Sequence, residues 1–195
     1  MNALALILYA IFAVVGFGWR TWVQWRRTGD TGLRLHADPG SVAWWAKLAF
    51  IAAIAAGVAA PIAGLAGLDP VTFLDHPALR TTGVVVALAG IAATAIAQLQ
   101  MGTSWRVGVD PNERTELVTT GIFARVRNPI FTAMAITAAG LALVVANIIG
   151  VIGFAALVIA LQLQVRAVEE PYLRRVHGPA YDRYLDTTSR FLPGL

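Results

Sequence analysis

The chain has 195 residues, of which 57% are hydrophobic and 13% are charged, and its mean hydropathy is +0.67. A soluble domain carries about a quarter charged residues, so this composition predicts an integral membrane protein. The absence of cysteine excludes disulfides, thiolate zinc sites and cysteine nucleophiles. The formal charge of +4 does not indicate nucleic-acid binding, because an arginine excess in a membrane chain first reports topology.

Apolar segments of the length needed to cross about 30 Å of hydrocarbon follow one another along the chain. Basic residues follow the first segment rather than precede it, which is typical of a spanning helix and not of a cleaved signal peptide. The last two segments are separated by Asn147, which predicts a helical hairpin. The segments cover approximately residues 3–23, 41–67, 81–101, 129–146 and 148–165.

The basic residues predict the orientation of this bundle. Every lysine and arginine except Arg80 lies in or beside the loops of one side, which the positive-inside rule places in the cytoplasm. We therefore expect an all-α integral membrane protein with five transmembrane helices, the N-terminus outside and the C-terminus cytoplasmic. Residues 1–100 would form three spans. Residues 101–195 would form a cytoplasmic connecting loop, the hairpin and a tail of short helices interrupted at Gly178-Pro179.

The polar stretch 119–131 leads into the fourth apolar segment. Asparagine is a preferred N-cap and proline is favoured at the first helical position, so Asn128-Pro129 predicts a helix start. A helix N-terminus binds carboxylates and phosphates, and Arg125 and Arg127 add positive charge beside it. A capped helix with snorkelling arginines explains the same residues without a ligand.

A second polar group follows the fifth segment at Glu169 and Glu170. Two adjacent carboxylates at a membrane boundary are costly unless they are solvated, paired or used in function. Helical spacing would allow Arg166 to pair with either carboxylate. Pro171 suggests that the helix breaks at Glu170. A solvated helix end with an internal ion pair is the alternative interpretation.

Other common sites have no sequence support. The histidines at positions 36, 76 and 177 form no ligand pair at helical spacing, so no metal is expected. Dinucleotide-binding, Walker and zincin motifs are absent.

Several motifs occur in a fixed order around the hairpin. They are Glu116-Leu117-Val118-Thr119-Thr120-Gly121-Ile122-Phe123, Arg127-Asn128-Pro129-Ile130-Phe131, Glu169-Glu170, Leu173, Gly178, Tyr181, Tyr184 and Arg190-Phe191-Leu192-Pro193. Together, over about residues 100–193, they resemble the isoprenylcysteine carboxyl methyltransferase family and the related phospholipid methyltransferases. The resemblance implies an S-adenosyl-L-methionine-dependent methyltransferase, with its cofactor site at the cytoplasmic ends of the last helices.

The resemblance also implies roles for individual residues. Arg166 is the candidate catalytic residue and could orient an acceptor carboxylate. The family usually has histidine at the position of Asn128, tyrosine at that of Phe131 and its substrate-side arginine at that of Val165. The implied cofactor contacts are Glu116, Leu117, Val118, Gly121, Phe123, Arg127, Asn128, Pro129, Ile130, Phe131, Glu169 and Glu170.

The function expected from these features is methyl transfer to a lipophilic acceptor within the bilayer, with carboxyl O-methylation as the expected type. The acceptor would be an isoprenylcysteine-like carboxylate or another small lipid. Arginine-rich usage with a single lysine indicates a bacterium, and hence its cytoplasmic membrane. The lipid bilayer is the expected surrounding, and the site is expected to face the cytoplasm. Neither nucleic acid nor a metal is expected as a partner. Two alternatives remain: an NADPH-dependent sterol or lipid double-bond reductase, and a non-enzymatic membrane protein that binds lipid or a partner.

Overall fold

The computed structural model describes residues 1–110 and 113–192, and the elements that it describes there are helices joined by loops. A short 3-10 turn, Gly121–Ala124, precedes the helix that begins at Pro129. The helices are α1 Asn2–Ala13, α2 Arg20–Thr28, α3 Val42–Leu65, α4 Pro77–Met101, α5 Pro129–Val145, α6 Ile148–Leu163, α7 Glu170–His177 and α8 Pro179–Thr187.

Two pairs of these helices are continuous. A π-helical turn, Val14–Trp19, joins α1 to α2, and a second one, Gln164–Glu169, joins α6 to α7. The expected break before Pro171 is therefore wrong, since the helix continues to His177. Pro171 is tolerated because it lies in the first turn of α7, directly after the π turn has changed the hydrogen-bond register.

Four helical runs among the described residues are long and apolar enough to cross a membrane: Asn2–Thr28, Val42–Leu65, Pro77–Ser104 and Ile148–His177. The remaining apolar helix, α5, has 17 residues. At 1.5 Å per residue its length is about 26 Å, close to the lower limit for a span. The all-helical membrane architecture is confirmed. The fifth span and the orientation of the termini remain predictions.

Small residues bring α4 and α5 into close contact. A Cβ added to Gly83 would lie 2.7 Å from the carbonyl oxygen of Gly140, and one added to Gly90 would lie 2.6 Å from the backbone nitrogen of Thr137. A Cβ added to Gly140 would overlap the backbone of Ala87. Such glycine contacts allow two membrane helices to approach until their backbones touch.

The predicted hairpin turn at Asn147 is confirmed. α5 ends at Val145, and the next residue, Ala146, has a left-handed backbone with φ of 55°. Asn147 then caps α6 by accepting the Gly150 N–H at 3.0 Å. The amide of Asn147 also donates to the carbonyl of Ala60 in α3 at 2.7 Å. The turn is therefore anchored to the neighbouring helix.

The loops meet at two opposite ends of the bundle. Val71, between α3 and α4, donates its N–H to the carbonyl of Ala146, so this link lies at the hairpin turn. At the other end, isolated parallel bridges join Leu33 to Val107 and Val126 to Ser189. We call this the basic end, formed by residues 26–41, 102–110, 113–128 and 178–192.

Candidate functional site

The turn at Gly121 is fixed to the end of α4. Gly121 has φ of +62°, and a Cβ there would collide with the side-chain oxygen of Gln100. That oxygen accepts the Ile122 N–H at 2.8 Å. Only glycine combines this backbone conformation with the close approach of Gln100, so the predicted cofactor residue Gly121 has a clear local role.

Phe123 is held from the other side by the C-terminal tail. Its side chain is buried, and its carbonyl accepts the hydroxyl of Tyr184 in α8 at 2.5 Å. Burial raises the pKa of Tyr184 to about 12. The hydroxyl therefore remains a donor at neutral pH, and the tail keeps the Phe123 turn in place.

An ion cluster of Arg127, Glu170 and Arg190 joins three separate parts of the chain. The Glu170 carboxylate accepts a hydrogen bond from Arg127 Nη2 at 3.2 Å. It also accepts hydrogen bonds from Nε and Nη2 of Arg190, at 2.7 and 2.9 Å. The side chains of Arg127 and Glu170 are each only 8% exposed. Arg127 also donates to the carbonyls of Leu185 and Thr188. Two predicted cofactor contacts, Arg127 and Glu170, are thus paired with each other in this structure.

Asn128 occupies the predicted helix boundary, but its side chain does not cap α5. The Asn128 amide instead donates to the carbonyl of Arg190 at 3.1 Å, as does its backbone N–H. The expected side-chain cap is wrong, since the Asn128 side-chain oxygen accepts no hydrogen bond from the first turn of α5. Pro129 stands in the first turn, as predicted. Thr132 closes the junction by donating its hydroxyl to the carbonyls of Asn128 and Phe191.

Glu169 ends the second π turn and has a different environment from Glu170. Its carboxylate accepts the amide of Gln164 at 3.2 Å, five residues earlier, which is the spacing that a π turn aligns. Glu169 is half-buried, and its partner in the described chain is a neutral amide rather than an arginine. The carboxylate therefore keeps acceptor capacity for a ligand.

Arg166 pairs with neither acid. Its Nε donates to Gln162 at 2.9 Å, and the side chain is exposed. An α-helix would have allowed Arg166 to pair with Glu169 or Glu170. The chain forms a π turn there instead, which rotates the residues after Gln164 away from their α-helical positions. An exposed guanidinium with a neutral partner remains free to meet an anionic group.

The other predicted contacts lie around this core of the site. Glu116 is exposed, whereas Leu117 and Val118 are half-buried, in the loop leading to Gly121. Pro129 is buried and Ile130 is half-buried at the start of α5. Phe131 packs against the apolar core formed by Ala53, Leu157 and Leu161, which gives it a structural contact.

Sequence reasoning missed several residues that build the site. In the sequence, Arg190 and Tyr184 stand out only as motif positions, and no motif marks Gln164 or Glu113. The complementary charges of Arg190 and Glu170 were visible, but the two residues are 20 positions apart and share no helical spacing. Only the position of the tail brings them together.

The site offers groups of both signs for a ligand. The first backbone N–H groups of a helix have no partner within the helix and favour an anion, and α5 begins here. Glu169 offers a carboxylate to a cation or to hydroxyl donors. Among the described residues, no group of three or more His, Cys, Asp or Glu side chains could hold a metal ion.

An apolar cleft lies between α1, α3, α5 and α6. It follows α5 from Met134 to Val145 and is lined by aromatic and small side chains of the other helices. The hydroxyl of Tyr9 on its wall donates to the carbonyl of Ile54 at 2.9 Å, so this polar group is satisfied. The wall of the cleft is therefore apolar.

Residues 78–180 match the family model described as phospholipid methyltransferase. This range covers more than half of the chain, from the first turn of α4 to the start of α8. It includes every predicted site residue and leaves out α1 to α3. A search of curated proteins finds no significant match.

Proposed function

The chain belongs to the phospholipid methyltransferase family, and on that premise we propose that it transfers the methyl group of S-adenosyl-L-methionine to a lipophilic acceptor in the membrane. The family is one of membrane methyltransferases that act on lipid-type substrates. We propose the cofactor, the type of acceptor and the side of the membrane from the residues of the site.

The observation that carries the proposal is the meeting of three elements at the basic end. The Gly121–Phe123 turn, the start of α5 and the Glu169–Glu170 pair come from separate parts of the chain. The tail binds the turn through Tyr184, and Arg190 binds the Glu170 carboxylate next to Glu169. An amino-acid carboxylate suits the start of α5, and ribose hydroxyls or an ammonium suit Glu169. These groups match the two ends of S-adenosyl-L-methionine.

Eight of the twelve predicted contacts fall into three groups on this basis. Glu116, Leu117, Val118, Ile130 and Glu169 are proposed to face the cofactor directly. Arg127 and Glu170 are proposed to shape the site through the ion cluster, because their charges are already paired with one another and with Arg190. Phe131 contributes through packing against the core.

The apolar cleft supports a lipophilic acceptor. It runs along α5 from its second turn, so a hydrocarbon chain lying there would leave its polar head near the basic end. Such a substrate would enter sideways from the bilayer, while the cofactor would enter from the aqueous phase.

Methyl transfer from this donor requires little acid or base from the protein. Bound S-adenosyl-L-methionine supplies a sulfonium-activated methyl group, and the residues of the chain position the partners and exclude water. We propose a carboxylate acceptor, because an ionised carboxylate needs no general base. Arg166, whose exposed guanidinium has only the neutral Gln162 side chain as a partner in the described chain, is proposed to orient the acceptor carboxylate.

The distribution of basic residues supports a site that faces the cytoplasm. All of the lysine and arginine residues except Arg80 lie at or near the basic end, which the positive-inside rule assigns to the cytoplasm. The arginine-rich composition supports a bacterial cytoplasmic membrane as the location.

Calorimetric titration of the purified protein tests the proposal. S-adenosylhomocysteine, the product form of the cofactor, is expected to bind with one site per chain, and NADPH is not. Binding of NADPH alone would favour a reductase of the double-bond type. Binding of neither ligand by the folded protein would support a non-enzymatic lipid or partner-binding role.

A further inference from the structure

The first helical run reaches the matched region through its last turns and the loop that follows. We call residues 20–36 the amino-terminal strap. They lie outside the range 78–180 of the family model. In the strap, Arg20 donates to the carbonyl of Gly102, and Gln24 donates to that of Thr103 at 2.9 Å. The strap therefore holds the turn that follows α4.

The strap also encloses Trp105, which is 1% exposed. The guanidinium of Arg20 lies over the indole ring at 4.9 Å. On the strap's far end, Gly32 has φ of +73°, and a Cβ there would be 3.0 Å from the Trp105 carbonyl oxygen. A side chain at Gly32 would therefore push the strap away from the loop.

Backbone hydrogen bonds extend this contact along the loop. The Arg34 N–H donates to the carbonyl of Val107 at 2.8 Å, and the Val107 N–H donates to the carbonyl of Gly32 at 2.9 Å. Gly108 follows, and a Cβ on it would collide with the Arg34 carbonyl. The strap and the loop thus form a short two-stranded contact.

Glu113 then connects the strap to the last membrane helix. Its carboxylate accepts hydrogen bonds from Arg34 and from Arg106, the latter at 2.6 Å. Its backbone carbonyl accepts the hydroxyl of Tyr172, in α7, at 2.7 Å. Asp30 pairs with the same Arg34 guanidinium, whose pKa these two acids raise. Arg34 and Glu113 are therefore the junction of three chain segments.

The proposed cofactor residues Glu116, Leu117 and Val118 lie between two anchors. One anchor is Glu113, and the other is Ile122, which is bound to Gln100. Releasing the first anchor would lengthen the unsupported loop. Ordering that loop when a ligand binds would then cost conformational entropy, which lowers the affinity.

We infer that the amino-terminal strap is part of the methyl-donor site, and that Arg34 and Glu113 are positioning residues that order the Glu116–Val118 segment for the cofactor. The inference rests on the proposed function. It extends the site to the strap, which the family model does not cover.

Arg34→Ala tests the inference by calorimetric titration with S-adenosylhomocysteine. We expect its affinity to fall about fivefold or more, the effect of losing a well-formed ion-pair junction. The KM for the lipid acceptor is expected to stay the same. Arg34→Lys keeps the charge and should recover part of the affinity.

Two further variants keep the test decisive. Arg80→Ala removes a comparable ion pair, with Asp75 at 2.8 Å, from the opposite end of the bundle, and its affinity should equal that of the wild type. Tyr172→Phe removes only the hydroxyl that binds the Glu113 carbonyl, so the variant should fold. Its affinity for S-adenosylhomocysteine should nevertheless be lower than that of the wild type. Wild-type affinity in both Arg34→Ala and Tyr172→Phe would overturn the inference. Failure of the wild type to bind would instead overturn the proposed function on which it rests.

Discussion

Glu169 and Glu170 are adjacent in sequence but have different partners in the folded chain. Glu170 is surrounded by two arginines, whereas Glu169 accepts one amide hydrogen bond from Gln164. The two arginines occupy the hydrogen-bonding capacity of the Glu170 carboxylate, whereas the Glu169 carboxylate can still accept hydrogen bonds from a ligand. The two acids therefore serve the site differently: Glu170 holds it together, and Glu169 is proposed to bind the cofactor.

The first prediction concerns this difference. Glu169→Gln should weaken S-adenosylhomocysteine binding about tenfold or more, since a hydrogen bond to a charged group contributes about 1.5–3 kcal/mol. Its thermal stability should remain close to that of the wild type. Calorimetry and thermal unfolding in the same detergent would measure both quantities.

Glu170→Gln is the matched control. It leaves the buried Arg127 guanidinium without a carboxylate, so it should destabilise the fold by about 3 kcal/mol or more. Unchanged affinity in Glu169→Gln would remove Glu169 from the cofactor site.

Tyr184 gives a second prediction at this scale. Tyr184→Phe removes the hydrogen bond to the Phe123 carbonyl and should reduce the free energy of unfolding by about 1 kcal/mol. The folded-state pKa of Tyr184 is raised to about 12, so its stabilising hydrogen bond is fully present below the ordinary tyrosine pKa of about 10. It is lost only as the pH rises through about 12.

The stability difference between Tyr184→Phe and the wild type should therefore be constant from about pH 6 to about pH 9. Chemical denaturation at several pH values would measure it. A difference that disappears within this range would contradict the assignment of the hydroxyl as the donor.

At the scale of elements, the contact between α4 and α5 places the start of α5 beside the Gly121 turn. Gly140→Ala would force a Cβ into the backbone of Ala87, which cannot move without shifting the helix. We expect a loss of about 1–3 kcal/mol in stability. Thermal unfolding in detergent would measure it.

Gly18→Ala is the control for this change. It also adds a methyl group to a helical glycine, but nothing lies within 4 Å of the new atom. Its stability should equal or exceed that of the wild type. Equal losses in the two variants would show that the packing of α4 on α5 is not the cause.

Sequence reasoning identified the elements better than the contacts between them. The apolar runs, the Asn147 turn and the start of α5 at Pro129 follow from local composition and cap preferences, and the structure contains them. The π turn of Gln164–Glu169 has no such local signature. The sequence therefore predicts an acidic partner for Arg166 and a helix break before Pro171, and both predictions are wrong. The ion cluster forms only because the tail packs against α5 and α7, and no residue spacing in the sequence predicts that packing.

At the scale of the whole molecule, α5 decides the topology. If α5 crosses the membrane, the loop before α3 and the C-terminal tail lie on the same side, and if it does not, they lie on opposite sides. The natural chain has no cysteine, so single cysteines can be introduced without background. Asp38, Asp69 and Arg183 are exposed positions in the loop before α3, the link before α4 and the tail.

Labelling with a membrane-impermeant thiol reagent in intact cells should modify Asp69→Cys alone. Asp38→Cys and Arg183→Cys should react only after the cells are lysed. Opposite reactivity of the two latter variants in intact cells would contradict the fifth span. Reaction of both of them, with Asp69→Cys protected, would keep five spans and reverse the orientation.

The central claim is methyl transfer from S-adenosyl-L-methionine to a lipophilic acceptor at the basic end. Purified protein, methyl-deuterated S-adenosyl-L-methionine and a lipid extract, analysed by mass spectrometry, test it most directly. We predict a lipophilic product that carries the deuterated methyl group in the wild-type reaction and is strongly reduced with Glu169→Gln. A wild-type protein that binds the cofactor yet yields no deuterated lipid, or a Glu169→Gln variant as active as the wild type, would contradict the account.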